Sequence, residues 1–540
     1  MRTSGILLPI SSLPGNYGIG GFSKEAYDFV DFLAEAGQSW WQILPLGPTG
    51  YGDSPYQSFS TFAGNPYYIA LEDLIQEGLL TEEEAAAADC GQYPAWVDYE
   101  RIWKTRFPVL RKACARFVPD EAYDRFCREN AAWLEDYCLY SVIKERQGQT
   151  GWLDWPAELR SRDREALEKI CREEAEELGF WRFMQYYFWK QWTALKEYAH
   201  EKGVRIIGDV PIYVAMDSAD AWASPELFQF DENLRPCGLA GCPPDAFAVT
   251  GQLWGNPLYR WEQHAQTGYS WWHSRMRHAF RLYDKVRIDH FRGFESYYSI
   301  PYGDPTAEFG HWEKGPGAAF FHELDEKMGK QDLIAEDLGF LTEEVHAMLR
   351  ECGYPGMRVL QFAFGSGPDN EYLPHNHIRN CVVYTGTHDN ETTLGWYRST
   401  DERIRTEVKA YTGIGDDWTD PCGRETDIPG NPTGAEEAEA AGNTTAAEEA
   451  EAAENPLVAE RTMPEEDLAA LHALIRQALG SVADLAVIPM QDYLELGNEA
   501  RINFPSTLGE NWKWRMLPGQ CTPGLAAHIR KLSGVYGRLR

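Results

Sequence analysis

Three stretches of the chain place carboxyl groups where a short apolar run ends. In Arg287-Ile288-Asp289 the alternation of a strand turns Arg287 and Asp289 to one face and Ile288 to the other. A guanidinium beside an aspartate lowers its pKa and keeps it ionised, as an attacking carboxylate requires; a structural ion pair is the alternative. Leu333-Ile334-Ala335-Glu336-Asp337 ends in two adjacent acids, a costly placement beside apolar residues unless they are paired or used. Glu336 shares its parity with Ile334, and a carboxyl near other carboxylates in an apolar mouth has the raised pKa of a general acid, whereas Asp337 is free to cap or organise the next turn. In Tyr384-Thr385-Gly386-Thr387-His388-Asp389-Asn390 the glycine permits a tight backbone at a polar tip. His388 and Asp389 then converge on a ligand, or they form an Asx turn with a bystander histidine.

Two carboxyls flanking a bond are what retaining glycosidic cleavage needs. One attacks the anomeric carbon, and the other protonates the departing oxygen and then activates the acceptor. A third carboxylate at Asp389 would bind sugar hydroxyls and favour the positively charged, distorted transition state. This scheme requires no metal and no cofactor.

The residues named lie at the ends of βα units. Runs at Gly5–Ile10, Trp41–Leu46, Val204–Val210, Lys285–Asp289, Asp332–Glu336, Met357–Phe362, Cys381–Thr385 and Leu485–Pro489 are short, apolar and rich in β-branched residues, and helical patterns separate many of them. Eight such runs predict an α/β fold, a (β/α)8 TIM-type barrel with inserted, mainly helical subdomains, whose active site forms where the strands end. The expected organisation is a discontinuous catalytic barrel at 1–60 and 201–540, a helical insertion at 61–200 and an acidic low-complexity insertion at 414–460. The helical insertion closes on Phe180-Trp181-Arg182-Phe183-Met184-Gln185-Tyr186-Tyr187-Phe188-Trp189, too aromatic on every side for an exposed helix. In the acidic insertion Ala435-Glu436-Glu437-Ala438-Glu439-Ala440-Ala441 recurs at 447–453, with too few apolar residues to offset the entropy of ordering.

Composition excludes several classes. Against 50 Lys and Arg the 540-residue chain carries 83 Asp and Glu, a net charge of −33 that does not suit a phosphate backbone. Twelve acids and one arginine at 416–454 account for part of that excess, and the remainder favours solubility. Aromatic residues are plentiful, with 20 Trp, and most should pack the core while some remain for sugar faces. The eleven cysteines are an odd number with no Cys-x-x-Cys pair, and Cys237 and Cys242 lack partners at zinc-site spacing, so a disulfide framework and a metal are not expected. The apolar run Ile6–Ile10 is broken by Pro9 and too short for a signal sequence, and no stretch approaches the roughly 20 apolar residues that span a bilayer. The expected setting is the cytoplasm, with neither nucleic acid nor membrane as partner.

At these residues the sequence resembles the amylomaltase family, the 4-α-glucanotransferases or disproportionating enzymes of the α-amylase superfamily. The resemblance covers nearly the whole chain outside the acidic repeat. It rests on Trp41-Gln42-Ile43-Leu44-Pro45-Leu46, Ser54-Pro55-Tyr56-Gln57-Ser58, Gly208-Asp209-Val210-Pro211-Ile212-Tyr213-Val214 and Gly241-Cys242-Pro243-Pro244-Asp245. It implies that Asp289 is the nucleophile, Glu336 the general acid/base and Asp389 the transition-state stabiliser. Arg287 and His388 then orient substrate, Tyr56 stacks near the cleaved sugar, and Asp209 holds the corresponding third-strand position. Residues 244–257, with Asp245, Gln252 and Trp254, resemble the family's loop over the glucan-binding groove, whose exclusion of water favours transfer over hydrolysis. Two departures are local: Ala246 replaces an aromatic often found in that loop, and Ser506 in Arg501-Ile502-Asn503-Phe504-Pro505-Ser506-Thr507 stands where the family usually has glycine.

The implied activity is transfer of part of an α-1,4-glucan to the 4-hydroxyl of a second glucan or of glucose, with maltooligosaccharides as donors and acceptors. A hydrolase of the same superfamily would instead raise total reducing ends, and a silent carbohydrate-binding protein would bind glucan without products. Deleting residues 430–455 is expected to leave folding intact, and a lost thermal transition in the deletion variant would contradict the reading of that segment as a dispensable insertion.

Overall fold

The computed structural model describes residues 2–50, 52–88, 94–244, 248–339, 341–414, 464–507 and 509–539. The strands in chain order are β1 (Thr3–Leu7), β2 (Trp40–Gln42), β3 (Arg205–Val210), β4 (Gly238–Cys242), β5 (Gln252–Pro257), β6 (Lys285–Ile288), β7 (Ser296–Pro301), β8 (His311–Lys314), β9 (Leu333–Ala335), β10 (Gly356–Val359), β11 (Cys381–Tyr384) and β12 (Leu485–Pro489). Eight of them form one parallel sheet in the order β10-β11-β12-β1-β2-β3-β6-β9. Each of the eight predicted runs supplies one of these strands, and spatial neighbours follow one another along the chain, as in a singly wound barrel. Their residues are buried on both faces, which is why the runs read as continuous Val, Ile and Leu.

Six of the eight predicted strands run too long at their C-terminal ends, whereas those of β3 and β12 end where predicted, at Val210 and Pro489. Asp289 and Glu336 lie one residue past β6 and β9, yet Asp289 N donates to Val210 O at 3.0 Å and Glu336 N to Ile288 O at 3.0 Å. The backbone is therefore held in register at the positions that carry the acids.

The seam between β9 and β10 is closed differently from the other seven. Ala335 N donates to Pro355 O at 2.9 Å, and two residues later a side chain takes over. Asp337 Oδ1 accepts from Met357 N at 2.6 Å, while its Oδ2 accepts from Arg358 Nη1 at 3.1 Å. Gly356 makes room for this, because a Cβ there would come within 2.2 Å of the Asp337 carboxylate. Asp337 thus fastens the neighbouring strand instead of capping the turn that follows it.

Helices Tyr99–Arg116, Glu121–Arg146 and Ala175–Glu201 fill much of the interval between β2 and β3. Asp98 and Asp120 cap the first two by accepting from Arg101 N and Tyr123 N. The aromatic run in the third helix is buried as its composition demands, and two glutamines within it bind the chain that leaves the barrel. Gln185 accepts from Gly64 N and donates to Gly64 O, both at 2.8 Å. Gln191 treats Ala70 the same way, at 2.8 and 3.1 Å. Each amide satisfies a buried backbone donor and acceptor that would cost about 1–3 kcal/mol unpaired.

A second, antiparallel sheet in the order β5-β4-β7-β8 was not foreseen. Of the 244–257 stretch, expected to be a loop, the last six residues form β5, which pairs with β4 through a register shift. Its half-exposed residues and Gly255 lack the apolar alternation by which a strand is recognised. The acidic insertion at 415–463 lies outside the described residues. Among the described residues no helix is long and apolar enough to cross a membrane.

Asp337→Ala should destabilise the fold by about 3 kcal/mol, because it removes a buried carboxylate from the Arg358 guanidinium, leaving Glu371 as its remaining ion pair, and takes two hydrogen bonds from the seam. Urea unfolding measures this, and an unchanged midpoint would refute the seam's dependence on Asp337.

Candidate active site

Strand register brings the first group together. Asp209 on β3 is the partner of Arg287 on β6, and both side chains are nearly inaccessible, at 1% and 3% exposure. Arg287 Nη1 donates to Asp209 Oδ1 at 2.9 Å and Oδ2 at 2.7 Å, and also to Asp289 Oδ1 at 3.0 Å. The sequence expectation that Arg287 and Asp289 share a face is met, and Asp209 joins them. The Asp289 side chain remains 29% exposed, so it faces the mouth while Arg287 and Asp209 lie beneath it.

Glu336, the residue after β9, follows the Ile288–Ala335 pair and so stands level with Asp289. Its Oε2 accepts from His290 N at 2.7 Å and its Oε1 from Leu338 N at 2.8 Å. His290, which donates the first of these bonds, sits in the left-handed region, with φ +49°, at the turn that follows β6. Burial raises the pKa of both acids, Asp289 to about 6 and Glu336 to about 7, with Arg287 opposing in each case. Only Asp289 takes a hydrogen bond from the guanidinium. The pair's first charge therefore settles on Asp289, and Glu336 keeps the remaining proton.

The tip after β11 supplies the second group. Asn390 Oδ1 accepts from Thr387 N at 2.9 Å, three residues before it, so the tip is a polar turn, but this bond is not that of the Asx turn considered from sequence. His388 is nonetheless no bystander. Its Nε2 lies 2.8 Å from Tyr56 Oη and 3.3 Å from Asp389 Oδ2, and its ring stacks on Tyr56 with centroids 5.2 Å apart. Tyr56 Oη donates to Asp209 Oδ2 at 2.8 Å, joining the two groups. Burial opposes the charge on His388 and on Asp389 alike. Their mutual attraction outweighs it, holding the imidazole above its ordinary range and, with an amide from Asn503, the carboxyl well below its own.

Of the residues in the 244–257 stretch, Trp254 lies edge-on to His290 at 4.8 Å, next to Asp289. Gln252 Oε1 accepts from Trp254 Nε1 at 3.0 Å and steadies the indole. Asp245 and Ala246 fall outside the described residues.

The sequence assigned no role to the segment that reaches the site from near the C-terminus. Asn503 Nδ2 donates to Asp389 Oδ1 at 2.6 Å, Arg501 Nη2 to Asp389 O at 2.9 Å, and Trp512 packs beside Tyr56 and His388 at 5.8 and 6.1 Å. The only signal was the resemblance of 501–507 to a family segment. Ser506 there adopts φ +65°, the conformation that glycine would take without strain, so the turn forms despite the substitution. Among the described residues no group of three His, Cys, Asp or Glu side chains is arranged to hold a metal ion.

Comparison with known proteins bears on what this arrangement serves. Residues 8–520 match the family profile of 4-alpha-glucanotransferase. A 4-alpha-glucanotransferase of Streptococcus pneumoniae is 45% identical, over 100% of this chain and 98% of the relative. One of Thermus thermophilus is 44% identical, over 100% and 99%. Among solved structures, the amylomaltase from Streptococcus agalactiae in complex with acarbose superposes with a TM-score of 0.88 at 35% identity, each chain covered in full. On the strength of these matches along nearly its whole length, and of a barrel whose strand ends gather the acids, the chain belongs to the 4-alpha-glucanotransferase family.

Proposed function

We propose that the protein transfers part of an α-1,4-glucan to the 4-hydroxyl of another glucan, or of glucose, by retaining double displacement at Asp289 and Glu336. One observation carries this reading. The two acids stand level at the ends of adjacent strands, and only Asp289 touches the guanidinium, so one is prepared as an anion and the other as an acid.

In the first step Glu336 gives its proton to the glycosidic oxygen as Asp289 attacks the anomeric carbon. The C–O bond breaks, the shortened glucan leaves with a free hydroxyl, and the rest is held as an ester on Asp289. Glu336, now ionised, takes the proton of the incoming 4-hydroxyl, whose oxygen displaces Asp289 with a second inversion. Asp389, kept charged by His388, stabilises the positive charge developing on the sugar ring. Arg287, Asp209 and His388 orient substrate, and Tyr56, with His388 against its ring, lies near the cleaved sugar. Trp254 and Gln252 belong to the groove wall that lets a sugar hydroxyl reach the ester before water does. The barrel residues at 1–60 and 201–540 carry this chemistry, and the helices within 61–200 support the loop that bears Tyr56. The names of the relatives and the acarbose complex of the Streptococcus agalactiae enzyme support the substrate class.

Maltotriose incubated with the purified protein should give free glucose and a ladder of longer oligosaccharides with total reducing ends constant. Rising reducing ends without longer products would indicate hydrolysis. Asp289→Ala and Glu336→Gln should each lower kcat by at least about a thousandfold with the fold retained, and full turnover in either would remove these assignments.

The pH dependence follows from the same pair. Activity needs Asp289 ionised and Glu336 protonated, so kcat/KM should fall as pH drops below about 6 and again as it rises above about 7. A stopped assay across pH 4–9 tests this, and a flat profile would contradict the division of roles.

A further inference from the structure

We propose that Asn503 is a positioning residue for Asp389, the hydrogen-bond donor that sets the plane of its carboxylate, and that Arg501, Asn511 and Trp512 hold the backbone around it so as to deliver it. The proposal rests on the role given to Asp389 above.

The last torsion of an aspartate is broad and leaves its carboxylate free to turn. A donor on one oxygen and an imidazolium facing the other remove that freedom. Here Asn503 Nδ2 meets Oδ1 at 2.6 Å, and His388 Nε2 faces Oδ2 at 3.3 Å. His388 adjoins Asp389 in sequence and already serves Tyr56, so Asn503 provides the restraint that comes from a separate part of the chain.

The surroundings of Asn503 restrict its reach. Arg501 bridges the two backbones, with Nη2 on Asp389 O at 2.9 Å and Nε on Asn503 O at 2.8 Å. Its guanidinium also lies 3.7 Å from the Phe504 ring centroid. Asn511 then binds the next residue from both sides, accepting from Phe504 N at 2.8 Å and donating to Phe504 O at 3.2 Å. Trp512 N donates to Ile502 O at 2.7 Å and closes the segment. Asn503 itself is 9% exposed, so water does not readily replace its amide. The charged groups acting on Asp389 are His388, Arg287 and Arg501, together with Asp289. Asn503 adds a donor with no charge of its own, which leaves the balance between Asp289 and Glu336 undisturbed.

The test measures maltotriose transfer from pH 5 to 8 for the full-length wild type, Asn503→Ala and Asn503→Asp. Loss of a hydrogen bond to a charged group should lower kcat of Asn503→Ala by about 10- to 100-fold with KM changed little. In Asn503→Asp the new carboxyl shares a proton with Asp389 at low pH and so restores an O–H donor, whereas at high pH the two anions repel. Relative to wild type, kcat of Asn503→Asp should therefore rise on going from pH 8 to pH 5, a trend that a purely structural defect would not produce. The trend is read within one variant, so it holds as a test even if Asn503→Ala fails to fold. Wild-type kcat in Asn503→Ala, or an Asn503→Asp ratio independent of pH, would overturn the proposal. Absence of transfer by the wild type would instead remove the functional reading beneath it, and that is seen before any substitution is made.

Discussion

The mouth of the barrel is organised around a buried cation. Arg287 sits almost without solvent between Asp209 below and Asp289 above, and an unpaired guanidinium there would cost several kcal/mol. Asp209 supplies the compensating charge from the partner position on β3, and the pair spans the same register as the backbone ladder of β3 and β6. Once Arg287 is held, one of its hydrogen bonds is available to Asp289, and that bond distinguishes Asp289 from Glu336.

The same ion pair reaches the rest of the site through Tyr56. Its hydroxyl donates to Asp209 and lies at hydrogen-bond distance from His388, so a loop after β2 and the tip of β11 are referred to the carboxylate that holds Arg287. A single change in the position of Asp209 would be felt at both. The loop that bears Tyr56 is in turn pinned where it leaves the barrel, by Gln185 binding both polar groups of Gly64. A helix more than a hundred residues along the chain thus helps to place an aromatic ring in the mouth.

Closure of the barrel also depends on a carboxylate. At the β9–β10 seam Asp337 replaces ladder hydrogen bonds, immediately after Glu336 in sequence. Two adjacent acids at the end of one strand therefore do different work because their side chains point to opposite sides. Glu336 faces the mouth and takes backbone N–H groups from the turn after β6 and from its own turn, while Asp337 faces the next strand.

Local pattern was enough to recognise the eight strands, since buried parallel strands must be short apolar runs, and to recognise the acids at their ends, since charged groups there are costly unless used. The period-two alternation of β6 placed Arg287 and Asp289 on one face, and the resemblance carried by motifs such as Ser54-Pro55-Tyr56-Gln57-Ser58 identified the family. Pattern did not reveal the second sheet, because β5 has neither alternation nor an apolar run. Nor did it show that Asp209 faces Arg287, that Asp337 joins two strands, or that Asn503 reaches Asp389 across 114 residues. Those relations depend on strand register and loop packing, which bring together groups far apart in the chain; hydrophobic periodicity specifies which face a residue takes, while the partner it meets on that face is decided only when the barrel closes.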